Sequence, residues 1–285
     1  MKKNTGANLA PAASSGLVDL DGELLAALLD AAAGDTETQA APALRDKLLR
    51  RVAKSIEGHR ELRTVRARDA AWLPLAPGVR ARLLHRCDNP AGVRPGEPIA
   101  AMVVEVDAGA SLPAALDRAD GQREWLVLSG DLTLDANGGA EVSLHATDYH
   151  VAPAGVTALG GRSAQGARLF VRRGPGACGG KAQTSFGARC AWAPYGPGIV
   201  RRVLWTDGPQ AAYLIRGDAG AGAPAHGHGH DEECLLLQGD MFLGDILLGE
   251  GDYQLAPRGC RHGEHYTDHG VLLYVRGDAE LAVGA

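Results

Sequence analysis

The first sixteen residues, MKKNTGANLAPAASSG, carry two lysines with no apolar run behind them, so the hydrophobic stretch of a secretory leader is missing. Nowhere do the 285 residues approach the roughly 18 consecutive apolar positions of a membrane helix. No membrane partner is therefore expected. Basic excess is lacking too: the formal charge is −5 and the pI near 6.1, which leaves no footprint for nucleic acid. Direct DNA binding is disfavoured, although binding to a protein that itself contacts DNA is not. The five cysteines (Cys87, Cys178, Cys190, Cys234, Cys260) are an odd set without a CxxC pair, which suits a reducing compartment. A cytoplasmic location is expected. With 45% hydrophobic and 22% charged residues, the chain has the balance of a globular protein with a sizeable core.

Residues 1–16 are small and polar and read as a disordered tail. Residues 17–60 read as a short helical segment. Leu20, Leu24, Leu25, Leu28 and Leu29 share one face of a first helix that ends at Gly34. Leu44, Leu48, Leu49, Val52 and Ile56 share a face of a second, which starts at Pro42 and stops at Gly58. Such helices must pack on the remainder of the chain or on a partner. After residue 60 come short apolar runs such as AMVVEV, WLVLSG, CLLLQG and VLLYVRG, broken by turn residues, which predict an all-β region. Asn137-Gly138 is a strong hairpin turn and Gly244-Asp245 a weaker one.

The β region repeats itself. AAWLPLAPGVRARLL (70–84) matches CAWAPYGPGIVRRVL (190–204), and REWLVLSGD (123–131) matches EECLLLQGD (232–240). TDYHVAPAG (147–155) likewise matches GDYQLAPRG (251–259), and LFVRRG (169–174) matches LYVRGD (273–278). Two copies of one unit are expected, over residues 61–176 and 185–280, joined by the glycine-rich PGACGGKAQTSFG.

Chemistry concentrates in the second copy. Six of the chain's ten histidines fall between His226 and His269. Gly220, His226, His228, Glu232 and Gly239 follow the pattern G-x5-H-x-H-x3-E-x6-G, and Gly251, Pro257, Gly259 and His262 follow G-x5-P-x-G-x2-H. In an extended strand, residues i and i+2 face one side, so His226 and His228 can point together into a barrel. Glu232 arrives on the next strand, and a turn at Pro257 and Gly259 presents His262. Three neutral imidazoles and a carboxylate suit one divalent transition metal: Zn²⁺, Fe²⁺, Mn²⁺ or Ni²⁺. His230 keeps the alternation and reads as a loop residue or a group behind the ligands. His265 and His269 read as exposed turn residues. Cys234 shares the face of Glu232, and Cys260 lies two before His262. They are either plain small core residues or thiols near the metal that sense oxidants. In the first copy the four ligand positions hold Ala115, Asp117, Arg123 and Ala158, so no such site can form there. Asp117 and Glu124 could cluster, but solvated charge is the expected state.

The paired motifs resemble the two signatures of the cupin superfamily, which implies two tandem cupin (RmlC-like jelly-roll) barrels, mainly β, behind the helical segment. EE-x-LLLQG, GDYQLAPRGCRH and RTVRARDAAWLPLAPGVRARLLHR are further similar to the ChrR family of anti-sigma factors, over about residues 42–278. That resemblance implies ligation by His226, His228, Glu232 and His262, zinc as the metal, and a role in the response to singlet oxygen or organic peroxides. It also implies a sigma factor or other regulatory protein as partner. Two departures stand out. The H-x3-C-x2-C motif of that family's N-terminal zinc domain is absent, since no cysteine precedes Cys87 and no histidine precedes His59. Tyr266 stands where many cupins end the second motif in Asn, placing a phenol near the pocket rim. The same motifs are similar to single-metal cupin dioxygenases that cleave C–C bonds of small diketones or hydroxyketones. In that reading His226, His228 and His262 hold iron and a small-molecule substrate binds beside it. A sugar or small-acid isomerase is a third reading. A homodimer is expected, because exposed edge strands and amphipathic helices both need covering.

Overall fold

A computed structural model describes residues 46, 49–50, 62–87, 99–118, 121–135, 141–156, 160–174, 180–280 and 282–283. The tail and helical segment expected over residues 1–60 lie outside these, apart from Asp46, Leu49 and Arg50, whose backbone is helical. The Asn137-Gly138 turn and Ala158 also lie outside them. Among the described residues no helix is long and apolar enough to cross a membrane.

From Leu62 onward the apolar runs become strands, interrupted by two short 3-10 turns at Ala114–Leu116 and Gly187–Arg189. They assemble into two large antiparallel sheets, of nine and ten strands, with a third of three. The segments that matched in sequence occupy matching places. Gln122–Asp135 runs between Tyr149–Ala152 and Ala167–Gly174, and Glu232–Leu243 between Tyr253–Ala256 and Val271–Asp278. Each long strand shifts register just before a glycine, between Val127 and Ser129 and between Leu236 and Gln238. Gly130 and Gly239 follow with φ of +78° and +85°, and a Cβ at either would stand 1.9 Å from the carbonyl oxygen of Gly166 or Gly270. Only glycine fits. Beyond this bend the second strand pairs with Ile246–Gly249 and His265–Tyr266 instead, which folds a second wall over the first. The weaker hairpin turn is present: Leu243 pairs with Ile246 around Gly244-Asp245.

Two strands cross between the copies. Arg63–Val65 at the start of the first copy pairs with Tyr253–Ala256 of the second, and Gln183–Ser185 at the start of the second pairs with Tyr149–Ala152 of the first. The exchange is locked by equivalent bonds. Gln254 Nε2 donates to Thr64 Oγ1 at 3.0 Å, and His150 Nδ1 meets Thr184 Oγ1 at 2.8 Å. The Ala67 amide donates to Asp252 and the Gly187 amide to Asp148.

His150 gives this lock an acid sensitivity that Gln254 lacks. Burial, helped by the nearby Arg123 charge, lowers its pKa from 6.5 to about 4. As pH falls from 6.5 towards 4 the unfolded chain takes up this proton before the folded one, so stability is lost in that window. At pH 5 the loss from His150 is on the order of 2 kcal/mol. His150→Gln is expected to remove it, so urea midpoints at pH 7.5 and pH 5 should fall further apart in the native chain than in the variant. Equal separations would exclude this origin.

Three apolar cores result. One fills the first copy around Val104, Trp125 and Leu134, and one fills the second around Tyr213, Leu236 and Leu273. The third lies between the copies, with Leu84, Val103 and Phe170 from the first against Leu204, Leu214 and Tyr274 from the second. The Phe170 and Tyr274 rings sit 4.9 Å apart and tilted, an arrangement aromatic quadrupoles favour.

A buried ion network joins the copies at this core. Glu124 accepts bonds from Tyr149 Oη (2.6 Å), Gln122 Nε2 (2.7 Å), Arg172 (3.1 Å) and Arg276 (3.3 Å). Its counterpart Glu233 accepts from Tyr253 Oη at 2.9 Å and from Arg172 Nε at 2.5 Å. Burial pushes the Glu124 carboxyl up, but Arg276 and Arg172 outweigh it and hold it below the ordinary value. The expectation of solvated charge is thus corrected: Glu124 and Asp117 are both buried, because each has a guanidinium partner inside the fold. Nor do they form a carboxylate pair. Asp117 takes Arg123 at 3.0 Å, and Arg123 also donates to the carbonyls of Asp117 and Val156. A guanidinium therefore stands where the second copy carries Glu232.

Candidate metal centre

The site grows from the second copy's short strands. His226–Gly227 pairs with Arg261–His262, which sets His226 directly opposite His262. The Pro257–Cys260 turn closes with the Cys260 amide donating to the Pro257 carbonyl, and Gly259 takes φ +87° within it. That turn also clamps the next ligand: the Gly259 amide donates to the His228 carbonyl, and the His228 amide to the Cys260 carbonyl. Spaced Gly and Pro residues thus fix two histidine backbones at once. Glu232 opens the long strand beside them.

His226, His228 and Glu232 form a buried group whose ligand atoms all lie within 4.8 Å of one another, close enough to hold one metal ion. The Nδ1–H of His226 donates to the Pro224 carbonyl at 3.0 Å, which leaves Nε2 with a free lone pair, the tautomer a metal ligand needs. His228 Nδ1 lies 3.6 Å from one Glu232 oxygen and His262 Nε2 lies 3.4 Å from the other. Both nitrogens of His228 and of His262 are buried without a hydrogen-bond partner. Each such orphan costs about 1–3 kcal/mol, so a cation among these rings would resolve one on each ring. The donor set fits a divalent transition metal.

Protonation states agree with that use. Burial lowers the His228 pKa, opposed by Glu232 and helped by the neighbouring imidazoles, so the ring favours its neutral form. Burial pushes Glu232 up, yet the close approach of the His262 and His228 imidazoles brings it down to about 2. It is an anion at any working pH.

Over this group lies a cavity of about 70 Å³. Ile199, Ile215, Met241, Val271, Leu273 and Val275 give it apolar walls, while His226, Glu232, Cys234 and His265 provide its polar patch. At about 10–15 Å³ per water-sized sphere, it admits a molecule of only a few heavy atoms. Cys234 faces it and donates to Glu232 at 3.6 Å. Burial and that carboxylate raise the thiol well above its ordinary pKa, so it is a protonated wall residue, not a thiolate. Cys260 is half-buried against the second copy's core and offers the site its backbone. Tyr266 is 43% exposed at the cavity mouth, stacked on Phe242. His230 turns away to Asp278 Oδ1 at 2.5 Å and does not line the cavity. His269 is exposed and pairs with Asp240.

His265 corrects the sequence reading. Expected in an exposed turn, it lies on a strand, its ring 4.8 Å from those of both His226 and His262. Burial, followed by the neighbouring imidazoles, drives its pKa well below 6.5. The signal in the sequence was the three-residue step from His262. It fits no strand alternation, because Gly263 and Glu264 separate two short strands.

The paired motifs on this sheet topology make the second copy a cupin domain. More narrowly, residues 183–279 match the family model described as the ChrR cupin-like domain. No curated protein matches the chain in sequence. Solved structures resemble it in fold at low identity. Ylba from E. coli has 14% identity and a TM-score of 0.60, covering 78% of this chain and 94% of that one. AerE from Microcystis aeruginosa has 16% identity and a TM-score of 0.57, with 74% and 97% covered. The oxalate decarboxylase of Lactobacillus farciminis, in a formate complex, has 12% identity and a TM-score of 0.54, with 77% and 87% covered.

Proposed function

We propose that this protein is a metal-binding double cupin of ChrR type with a regulatory, sensory role, acting through a protein partner such as a sigma factor. The observation that carries the metal is the pool of buried, unpartnered imidazole nitrogens around an ionised Glu232. His226, His228 and Glu232, with His262 beside them, would hold one divalent ion. Bound there, the ion would supply Lewis acidity. The chain's own residues do the rest: the Pro224 carbonyl orients His226, the 257–260 turn positions His228 and His262, and the apolar walls exclude bulk water. The ChrR-like match over 183–279 supports the regulatory role. Cys234, kept as a neutral thiol, is a poor nucleophile towards oxidants, which supports a sensing event at the metal and its ligands instead.

A second reading, a metal-dependent dioxygenase of small diketones or hydroxyketones, is favoured by the apolar cavity directly over His226 and Glu232. Elemental analysis of untagged protein beside His262→Ala separates the two. About one zinc per chain, lost in the variant, is the expected result; one iron, lost the same way, moves the assignment to the dioxygenase. Metal retained in full by the variant overturns the ligand set. The partner is tested by coexpression with a candidate sigma factor, where the complex should dissociate on metal removal. Equal binding with and without metal would exclude metal-linked regulation.

A further inference from the structure

The four imidazoles of His226, His228, His262 and His265 form a closed four-sided figure. Its sides are 5.0 Å from His226 to His228, 4.6 Å from His228 to His262, 4.8 Å from His262 to His265 and 4.8 Å from His265 back to His226. The His226 and His262 rings are 5.6 Å apart across it. No two of these rings stack: four of the pairs meet edge to face and one is tilted.

These spacings can be compared with those of imidazoles sharing one ion. With metal–nitrogen bonds of about 2.1 Å, ring centres lie about 4.5 Å apart at a right angle and about 5.2 Å apart at a tetrahedral one. The two distances made by His265 fall inside this span, as do those between the motif histidines His226 and His228. Backbone pairing fixes His265 on both sides, opposite Ala223 on one strand and Leu243 on another. Its Nε2 is buried without a partner, although the ring lines the cavity. A histidine serving only as packing would spend that nitrogen on a carbonyl or hydroxyl. Here the titratable groups that act on it are the imidazoles of His262, His226 and His228 and the carboxylate of Glu232.

We infer that His265 is a further ligand of the same ion, entering from the cavity side and sharing the His226 and His262 edge opposite His228. The inference rests on the metal-binding reading above and adds a donor outside the paired motifs. The centre then has four imidazoles and one carboxylate. A small molecule entering the cavity reaches the ion beside His265 or by displacing it.

The test loads the untagged full chain with Cu²⁺ and counts coupled imidazoles by pulsed EPR. Four in the native chain and three in His265→Ala are expected. His265→Gln, which keeps the length and polarity of the side chain, guards against a folding defect and should also give three. Co²⁺-loaded protein gives a second readout, with stronger visible bands in the variants as the ion drops from five donors to four. Three imidazoles in both native and variant chains would overturn the inference and leave the metal centre standing. A native chain that takes up no copper, or that keeps its copper when His226 and His228 are both changed to Ala, would overturn the metal centre itself.

Discussion

Arg172→Ala is expected to destabilise the protein by about 3–5 kcal/mol, the cost of leaving a buried charge without its partner. The guanidinium is 4% exposed and touches both buried glutamates, Glu124 at 3.1 Å and Glu233 at 2.5 Å. Glu124 would keep Arg276, but Glu233 would keep only the Tyr253 hydroxyl among its hydrogen bonds described above. The loss should therefore fall mainly on Glu233, and adding Glu233→Gln should return part of it. Urea denaturation of the two single variants and the double variant measures the coupling. Arg68→Ala is the control: that side chain is 84% exposed and should shift stability by no more than about 0.5 kcal/mol. A loss below about 1 kcal/mol for Arg172→Ala, or strict additivity with Glu233→Gln, would mean that the network contributes little. Acid should act in the same direction. Glu124 has a depressed pKa in the folded state, so its contribution is complete above its unfolded value and lost as pH falls through the folded one.

The second large effect is metal linkage. An ion that binds only the folded chain, present at about a thousand times its Kd, adds about 4.1 kcal/mol of stability. For a β region of this size that corresponds to a rise in Tm of about 8–16 °C. Thermal melts with and without Zn²⁺ should show this rise in the native chain, and a chelator should reverse it. His228→Ala and Glu232→Ala should melt alike in both conditions, because each removes a donor from the buried group. His228→Ala is not expected to be much less stable than the metal-free native chain, since it deletes a buried ring whose two nitrogens lack partners. A shift of undiminished size in both variants would place the metal elsewhere. The lowered His228 pKa means that this ring keeps its metal-binding form to a lower pH than an ordinary imidazole.

What could be read from the chain follows the range of the forces involved. Alternating apolar runs and fixed glycine intervals are local, so the strands, the repeat and the gathering of His226, His228 and Glu232 were all visible. The Gly239 bend needs φ +85° and a bare Cα against the Gly270 carbonyl, which is why that spacing carries information. The ion network was not visible. Glu124 finds its arginines 48 and 152 residues away, and nothing near it in sequence distinguishes a buried glutamate from a solvated one. A trace did exist, since Glu124 and Glu233, Tyr149 and Tyr253, and Arg172 and Arg276 recur at matched positions of the two copies, polar residues within otherwise apolar strands. The crossing strands Arg63–Val65 and Gln183–Ser185 have three residues each, too few for any periodicity to declare itself.

Those crossing strands bear on how independently the two halves can vary. Each copy lends the other an edge strand, and equivalent residues meet across the shared core, which is the logic of a twofold dimer written into a single polypeptide. In a dimer of identical chains, a mutation that removed a ligand would strike both sites together. Once the two halves were joined as separate stretches of one gene, one site could decay while its partner kept working, provided that the contacts between the halves survived. The first copy has that character. It has Arg123 and Asp117 where ligands would be, and it keeps Glu124, Tyr149 and Arg172 at the seam.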